Sequence, residues 1–395
     1  MTTSGARLLR GSEEPQHVNF LELFFDLVFV VALLQLSHKL IEHLSWGGAA
    51  RTFLLLAALW WTWALTVWTT NLYDPREPAI QLLVTGTMLG NLVMVVALPD
   101  AYGERGAAFA GAYVTVHVGR QLFLVTALRG HGLQRRSLRA LFWFGASAVP
   151  WILGVFASGV ARPALWALAV TADVIGGLLR FPTPRLGRSP ESEYPILAEH
   201  LTERYRQFFI IALGELILVT TLTLANTGFA VYRTIAFTVS FVGTVLFWRI
   251  YVYRAAELLT VAIAVAADSD RLARWAGVTH LTMLAGIVAT AVGTEVVIAH
   301  PLDDPRTAWV AVLLGGPALF LAGRAGFEYI VFSRVSWNRP VGILVLAALV
   351  PPMLHLPPLV TAIAAVVVLA GIALTDVLRG RRVPTSPTPP GNKRH

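Results

Sequence analysis

Between residues 18 and 44 the chain reads VNFLELFFDLVFVVALLQLSHKLIEHL. About 20 apolar residues in succession suffice for a helix to cross a bilayer. This stretch is that long, yet it carries Glu22 and Asp26 near its start. Their spacing of four puts both carboxylates on one helix face, and Ser37, about three turns further, returns to that face. Whatever the chain folds into must seat an acidic stripe inside apolar surroundings.

The remainder repeats the problem. Of 395 residues, 56% are hydrophobic and 14% charged, and the mean hydropathy is +0.64. Soluble domains carry about 25% charged residues, so a single aqueous core cannot hide this much apolar surface. The composition predicts an all-α, polytopic integral membrane helix bundle whose main partner is the lipid bilayer. Apolar stretches predict twelve transmembrane helices, at 20–43, 52–73, 79–99, 107–128, 139–159, 163–180, 204–226, 230–253, 275–299, 308–332, 340–355 and 358–378. The last two are joined only by Leu356 and Pro357 and also fit a single helical hairpin.

There is no cysteine, which excludes disulfides, thiolate metal sites and a cysteine nucleophile. The histidines lack metal-ligand spacing. No Walker loop, dinucleotide fingerprint or serine-hydrolase elbow is present. Neither a cofactor nor an enzymatic activity is predicted, and a primary pump is disfavoured.

Arginines settle the expected orientation. Arg7, Arg10, Arg129, Arg135, Arg136, Arg185, Arg188 and Arg334 fall on one side of the predicted spans; Arg51, Arg105, Arg162, Arg233 and Arg306 fall on the other. Cytoplasmic loops collect the positive charge, so both termini are placed in the cytoplasm of a cell with the chain in its inner (plasma) membrane. The net charge of +8 follows this topology rather than forming a basic face on a soluble domain, so nucleic acid is not a predicted partner. No small-residue cleavage site follows the first apolar stretch, which reads as a retained helix. The expected organisation is a polar segment 1–17 without structure of its own, a six-helix half 18–180, a linker 181–203, a second half 204–378 and a basic, Pro-rich tail 379–395.

The halves show a weak likeness. TMLGN at 87–91 answers TMLAG at 282–286, and Gly119-Arg120 answers Gly323-Arg324. Asp26 and Ser37 are eleven apart, as are Glu215 and Asn226. Six spans per half would give a six-plus-six parallel repeat of the kind some transporters have.

Charges within spans usually face a bundle interior or water. Glu22, Asp26, Ser37, Arg120, Glu215, Asn226 and Arg324 are therefore the candidates for an ion, proton or substrate path. Two readings stay open for the acidic pair. It binds a cation or proton, or it pairs with an arginine such as Arg120, Arg249 or Arg254 and fixes the bundle. Arg324 and Glu328, spaced i, i+4, read as an internal pair. Tyr251, Tyr253, Arg254 and Glu257 read as an interfacial anchor and salt bridge. Asp173 needs a partner from another helix. Trp60, Trp61 and Trp63 read as core packing.

These residues carry a resemblance. The chain is similar to the bacterial low temperature requirement protein A (LtrA) family through LELFFDLVFVVALLQLSH at 21–38, ER-x-x-x-F-x-I-I-A-L-G-E from Glu203 to Glu215, RAAE at 254–257 and AGIVATAVGTE at 285–295. Arg206 stands where the family usually has glycine, and Leu216 where a serine commonly follows the glutamate. The resemblance implies a link to growth at low temperature and no defined molecular activity. The first motif is also similar, in fewer letters, to the pore-helix motif of TMEM-type potassium channels, which have serine where Phe25 stands. Two functions follow as expectations: a proton- or cation-coupled transporter or ion-conducting protein of a small ion or solute, or a non-transporting membrane scaffold whose buried charges are structural. A lipid-modifying enzyme is disfavoured, because no membrane face collects His, Asp and Glu.

Overall fold

A computed structural model of the protein describes residues 7–10, 18–190, 193, 196–252, 259–263 and 269–380. The described residues form twelve full-length α-helices, besides a short helical stretch at 259–263: α1 (Phe20–Glu42), α2 (Trp46–Leu72), α3 (Pro78–Ala97), α4 (Gly106–Ala127), α5 (Gln134–Phe156), α6 (Ala161–Leu178), α7 (Ala198–Thr227), α8 (Val231–Val252), α9 (Ser269–Ala299), α10 (Thr307–Phe332), α11 (Asn338–Met353) and α12 (Pro358–Gly380). A 3₁₀ turn, Leu98–Asp100, extends α3. Strand structure among the described residues is limited to isolated bridges.

Nine of these helices are long and apolar enough to cross a membrane: α1, α2, α3 with its 3₁₀ extension, α5, α7, α8, α9, α10 and α12. The twelve predicted spans thus coincide with twelve helices, of which α4, α6 and the 16-residue α11 fall short in length or apolarity. α7 begins six residues earlier than predicted, which carries His200 and Glu203 from the expected linker into the helix and Arg204 from its first position to its second turn. The inner end of the predicted eighth span, with Tyr253, Arg254 and Glu257, lies outside the described residues, as do most of segment 1–17 and the tail from 381.

Contacts divide the chain into two compact units, Met1–Glu215 and Leu216–His395. In the first, α1 starts at a capping box. Asn19 Oδ1 accepts from Leu21 N at 3.1 Å, and Glu22 Oε2 accepts from Asn19 N at 2.9 Å. These bonds satisfy amides that the first helical turn leaves open. α2 is capped by Ser45, whose hydroxyl accepts from Gly48 N. Part of the polar leader is tied down, contrary to the expectation for 1–17. Asp74 N donates to Leu8 O at 2.9 Å and Arg10 N to Leu72 O at 3.1 Å, and Leu8 is buried beside the end of α2. A chain end becomes ordered when its backbone groups find partners in this way.

In the second unit α9 and α10 approach closely. A Cβ on Gly286 would lie 2.4 Å from Phe320 N, and one on Gly316 would lie 2.7 Å from Thr290 N. Glycine at such positions lets two backbones meet, the main route to packing where lipid removes the hydrophobic drive.

Candidate functional site

The two sequence motifs that carry the resemblance, 21–38 and 203–215, pack on each other within the first unit. Glu22 pairs with His200, Asp26 with Arg204 and Ser37 with Glu215, and in each case the partners are 178 residues apart. A constant offset means that α1 and α7 run side by side in the same direction and in register. Glu203 joins them at the start, its Oε2 accepting from Val18 N at 3.2 Å.

Asp26 is wholly buried and fully ligated. Its Oδ1 accepts from Arg204 Nη2 at 2.7 Å and from Trp63 Nε1 at 2.9 Å, and its Oδ2 accepts from Arg204 Nη1 at 2.7 Å. A forked guanidinium–carboxylate pair of this kind is strong and directional. Trp60, Trp63, Tyr205 and Phe208 surround it as a stacked and edge-on aromatic group, and the Arg204 guanidinium lies 5.8 Å from the Trp63 ring centre. The expected tryptophan core is therefore found at Trp60 and Trp63. The arginine partnering Asp26 is Arg204, rather than the suggested Arg120, Arg249 or Arg254. Glu22 serves twice: Oε2 closes the α1 cap while Oε1 accepts from His200 Nε2 at 2.9 Å. The Asn19-x-x-Glu22 spacing signals the cap, and the sequence reading did not use it. Ser37 donates to Leu33 O and to Glu215 Oε1.

A second polar group lies between α2, α4 and α6 of the same unit. Tyr113 donates its hydroxyl to Asp173 Oδ2 at 2.8 Å, which supplies the partner Asp173 needs. Asp173 is fully buried, its Oδ1 makes no hydrogen bond, and no cation lies within ion-pair distance among the described residues. The His117 ring packs on Tyr113 with centroids 4.2 Å apart, and its Nε2 sits 3.1 Å from Thr62 Oγ1. Thr62 already donates to Ala58 O, so it accepts from His117, and the bare nitrogen is Nδ1, which has no partner. One turn on, Arg120 Nη2 reaches Thr66 Oγ1 at 2.7 Å and Thr87 Oγ1 at 3.5 Å.

The remaining candidates fall in the second unit. Arg324 lies in an ion-pair network: it bonds Glu328 at 3.1 Å, as predicted from their spacing, and Ile250 O at 3.1 Å. Arg339 joins Glu328 at 3.1 Å to Asp376 at 2.7 Å, and Asn338 also donates to Asp376 at 2.8 Å. The sequence reading singled out neither Arg339 nor Asp376 as part of a site. Asn226 is exposed and is not part of this network. Among the described residues, no group of three or more His, Asp or Glu is placed to hold a metal ion.

Comparison with known proteins agrees with the motifs. Residues 17–374 match the family described as bacterial low temperature requirement A protein (LtrA). The chain is 35% identical over 353 residues to "Uncharacterized protein RA0937" of Rhizobium meliloti (strain 1021), covering 86% of this chain and 84% of that protein. A solved structure titled "Crystal structure of MATE in complex with MaL6" aligns over 92% of this chain and 94% of its own. Its identity is 13% and the TM-score 0.19, a likeness that carries no argument. With the matched region spanning both packed motifs and nearly all the helices, this chain is a multi-pass membrane protein that belongs to the bacterial LtrA family.

Proposed function

We propose that the protein is a proton-linked transporter of a small ion or solute in the bacterial inner membrane. It has twelve spans in two parallel sets of six and both termini in the cytoplasm. One observation carries this reading: Asp173 is a wholly buried carboxyl group whose neighbours are the hydroxyls of Tyr113 and Ser147, with no cation within ion-pair distance among the described residues. A charged group in such a place is costly unless paired, and an intramembrane acid of this kind changes charge only by exchanging a proton. Tyr113 and the unpartnered Nδ1 of His117 lie beside it as relay groups. The parallel course of α1 and α7 supports an odd number of crossings between them, the five of α2–α6 on this reading. Glu215, held by Ser37, is a second exchange position on this reading, whereas Asp26 is fixed by Arg204 and has a structural part. No catalytic chemistry is proposed.

The test is proton flux into liposomes holding the purified protein and a trapped pH dye, driven by a potassium-diffusion potential. Asp173→Asn should reduce flux at least tenfold, with Asp173→Glu recovering part of it. Equal flux in the wild type and Asp173→Asn, at equal protein incorporation, removes the proposal. The scaffold reading is favoured by a different observation, the buried Asp26–Arg204 and Glu328–Arg339–Asp376 pairs. It expects no flux in any variant and a fall in thermal stability when these pairs are broken.

A further inference from the structure

Arg120 differs from the other deeply buried arginines of the protein. Arg204, Arg324 and Arg339 each pair with a carboxylate. Arg120 is 2% exposed, yet no carboxylate lies within 4.0 Å of it among the described residues. Its Nη2 is held by the hydroxyls of Thr66 and Thr87, while Nη1 has no hydrogen-bond partner among the described residues. Asn91, one turn beyond Thr87 on the same face of α3, is wholly buried with both its amide oxygen and its amide nitrogen unpartnered. Buried polar atoms in native proteins nearly always find partners, so such a cluster marks a place where a partner from outside belongs.

Arg120 also lines a cavity of about 470 Å³ between α3 and α4. Gly86, Gly90 and Gly119 open its walls, and Leu82 and Leu89, both strongly exposed, flank its mouth. Exposed leucines on an apolar helix face hydrocarbon, so the groove opens sideways into the bilayer. An occupant therefore arrives from the membrane and needs an apolar chain. At the floor it meets a guanidinium, which calls for an oxyanion. Arg120 is seven residues from the end of α4 at Ala127, about 10 Å at 1.5 Å per residue, so the headgroup must be compact enough to sit that far below the helix end.

We infer that the groove between α3 and α4 is a binding site for an anionic amphiphile, an acyl chain bearing a small oxyanion, with Arg120 as its counter-charge and Thr87 beside it on the groove wall. This site is independent of the proton-exchange role given to Asp173. The oxyanion is a carboxylate or a phosphate, and the probes separate the two.

The experiment is native mass spectrometry of the full chain in maltoside micelles, with oleate, phosphatidylglycerol, phosphatidylcholine or inorganic phosphate added at matched concentration. The wild type should retain a single bound oleate or phosphatidylglycerol at least tenfold more than phosphatidylcholine, and should retain no inorganic phosphate. Oleate alone identifies a carboxylate headgroup, and phosphatidylglycerol alone a phosphate. Arg120→Gln should lose the adduct. Gly86→Leu tests the groove without touching the charge: a Cβ at Gly86 meets nothing within 4 Å, so the backbone has room for it, and the longer leucine reaches into the space the acyl chain would use. It too should lose the adduct at unchanged melting temperature. Equal retention of phosphatidylcholine, absence of any anionic adduct, or an adduct undiminished in Gly86→Leu would overturn the assignment.

Discussion

Trp63 shares an oxygen of Asp26 with Arg204: indole and guanidinium nitrogens reach Oδ1 from α2 and α7 at 2.9 and 2.7 Å. Three helices of the first unit thus converge on one carboxylate. Removing one member of a buried ion pair leaves the other charge uncompensated, at a cost of about 3–5 kcal/mol. Arg204→Met should therefore lower the free energy of SDS-induced unfolding by that amount. The double variant Asp26→Leu/Arg204→Met should regain most of it, because no charge is then stranded. A double variant as unstable as the single one would contradict the pairing.

The network of the second unit gives an ordering. Arg339→Met strands Asp376, whose other described partner is the neutral Asn338. Asp376→Asn leaves Arg339 with Glu328. The first substitution should cost about 3–5 kcal/mol and the second clearly less. Chemical unfolding of the two purified variants decides, and a reversed order would count against the geometry.

Adjacent glycines in α10 should respond oppositely to alanine. At Gly316 a Cβ falls 2.7 Å from Thr290 N, so Gly316→Ala must push α9 and α10 apart, costing about 1–3 kcal/mol. At Gly315 nothing lies within 4 Å, so Gly315→Ala should stabilise the helix by up to about 1 kcal/mol. Thermal melts of both variants check the contrast.

Acid should weaken the turn between α2 and α3. Arg76, forking onto Asp74 at 2.8–3.1 Å, holds that carboxyl below its usual range. A carboxyl with a depressed folded-state pKa adds stability above its unfolded value, and that contribution fades as pH falls through the folded value. Asp74→Asn should therefore be less stable than the wild type at pH 7, by about 1 kcal/mol, with the gap closing as pH falls below the ordinary carboxylate range. A gap independent of pH would exclude the ionised pair as its source.

Sequence made the helices legible because apolar runs of bilayer length leave the backbone few alternatives. It also exposed Glu22, Asp26, Ser37 and Glu215 as anomalies. Their pairing was hidden for identifiable reasons. Placing the start of α7 at 204 instead of 198 left His200 in a linker and Arg204 at the very end of a helix, where it read as a topology signal, so neither was weighed as a partner for Glu22 or Asp26. Ser37 and Glu215 were read as parts of separate matching stripes, when the register of the two helices makes them partners. Register between distant helices depends on packing that no local pattern encodes. The same holds for Asn91 and Arg120, whose missing partners show only once α3 and α4 stand side by side.

The offset of 178 residues also has a meaning in time. α1 leaves the ribosome with Glu22 and Asp26 uncovered, and His200 and Arg204 follow 178 residues later. At about 5–20 residues per second that interval is roughly 10–35 s. The first helix is therefore threaded into the membrane as an unfinished part, its acids waiting for α7. Completion of the first unit is gated by the synthesis of its last helix, and a nascent chain halted before residue 204 should stay with the insertion machinery rather than drift free in lipid.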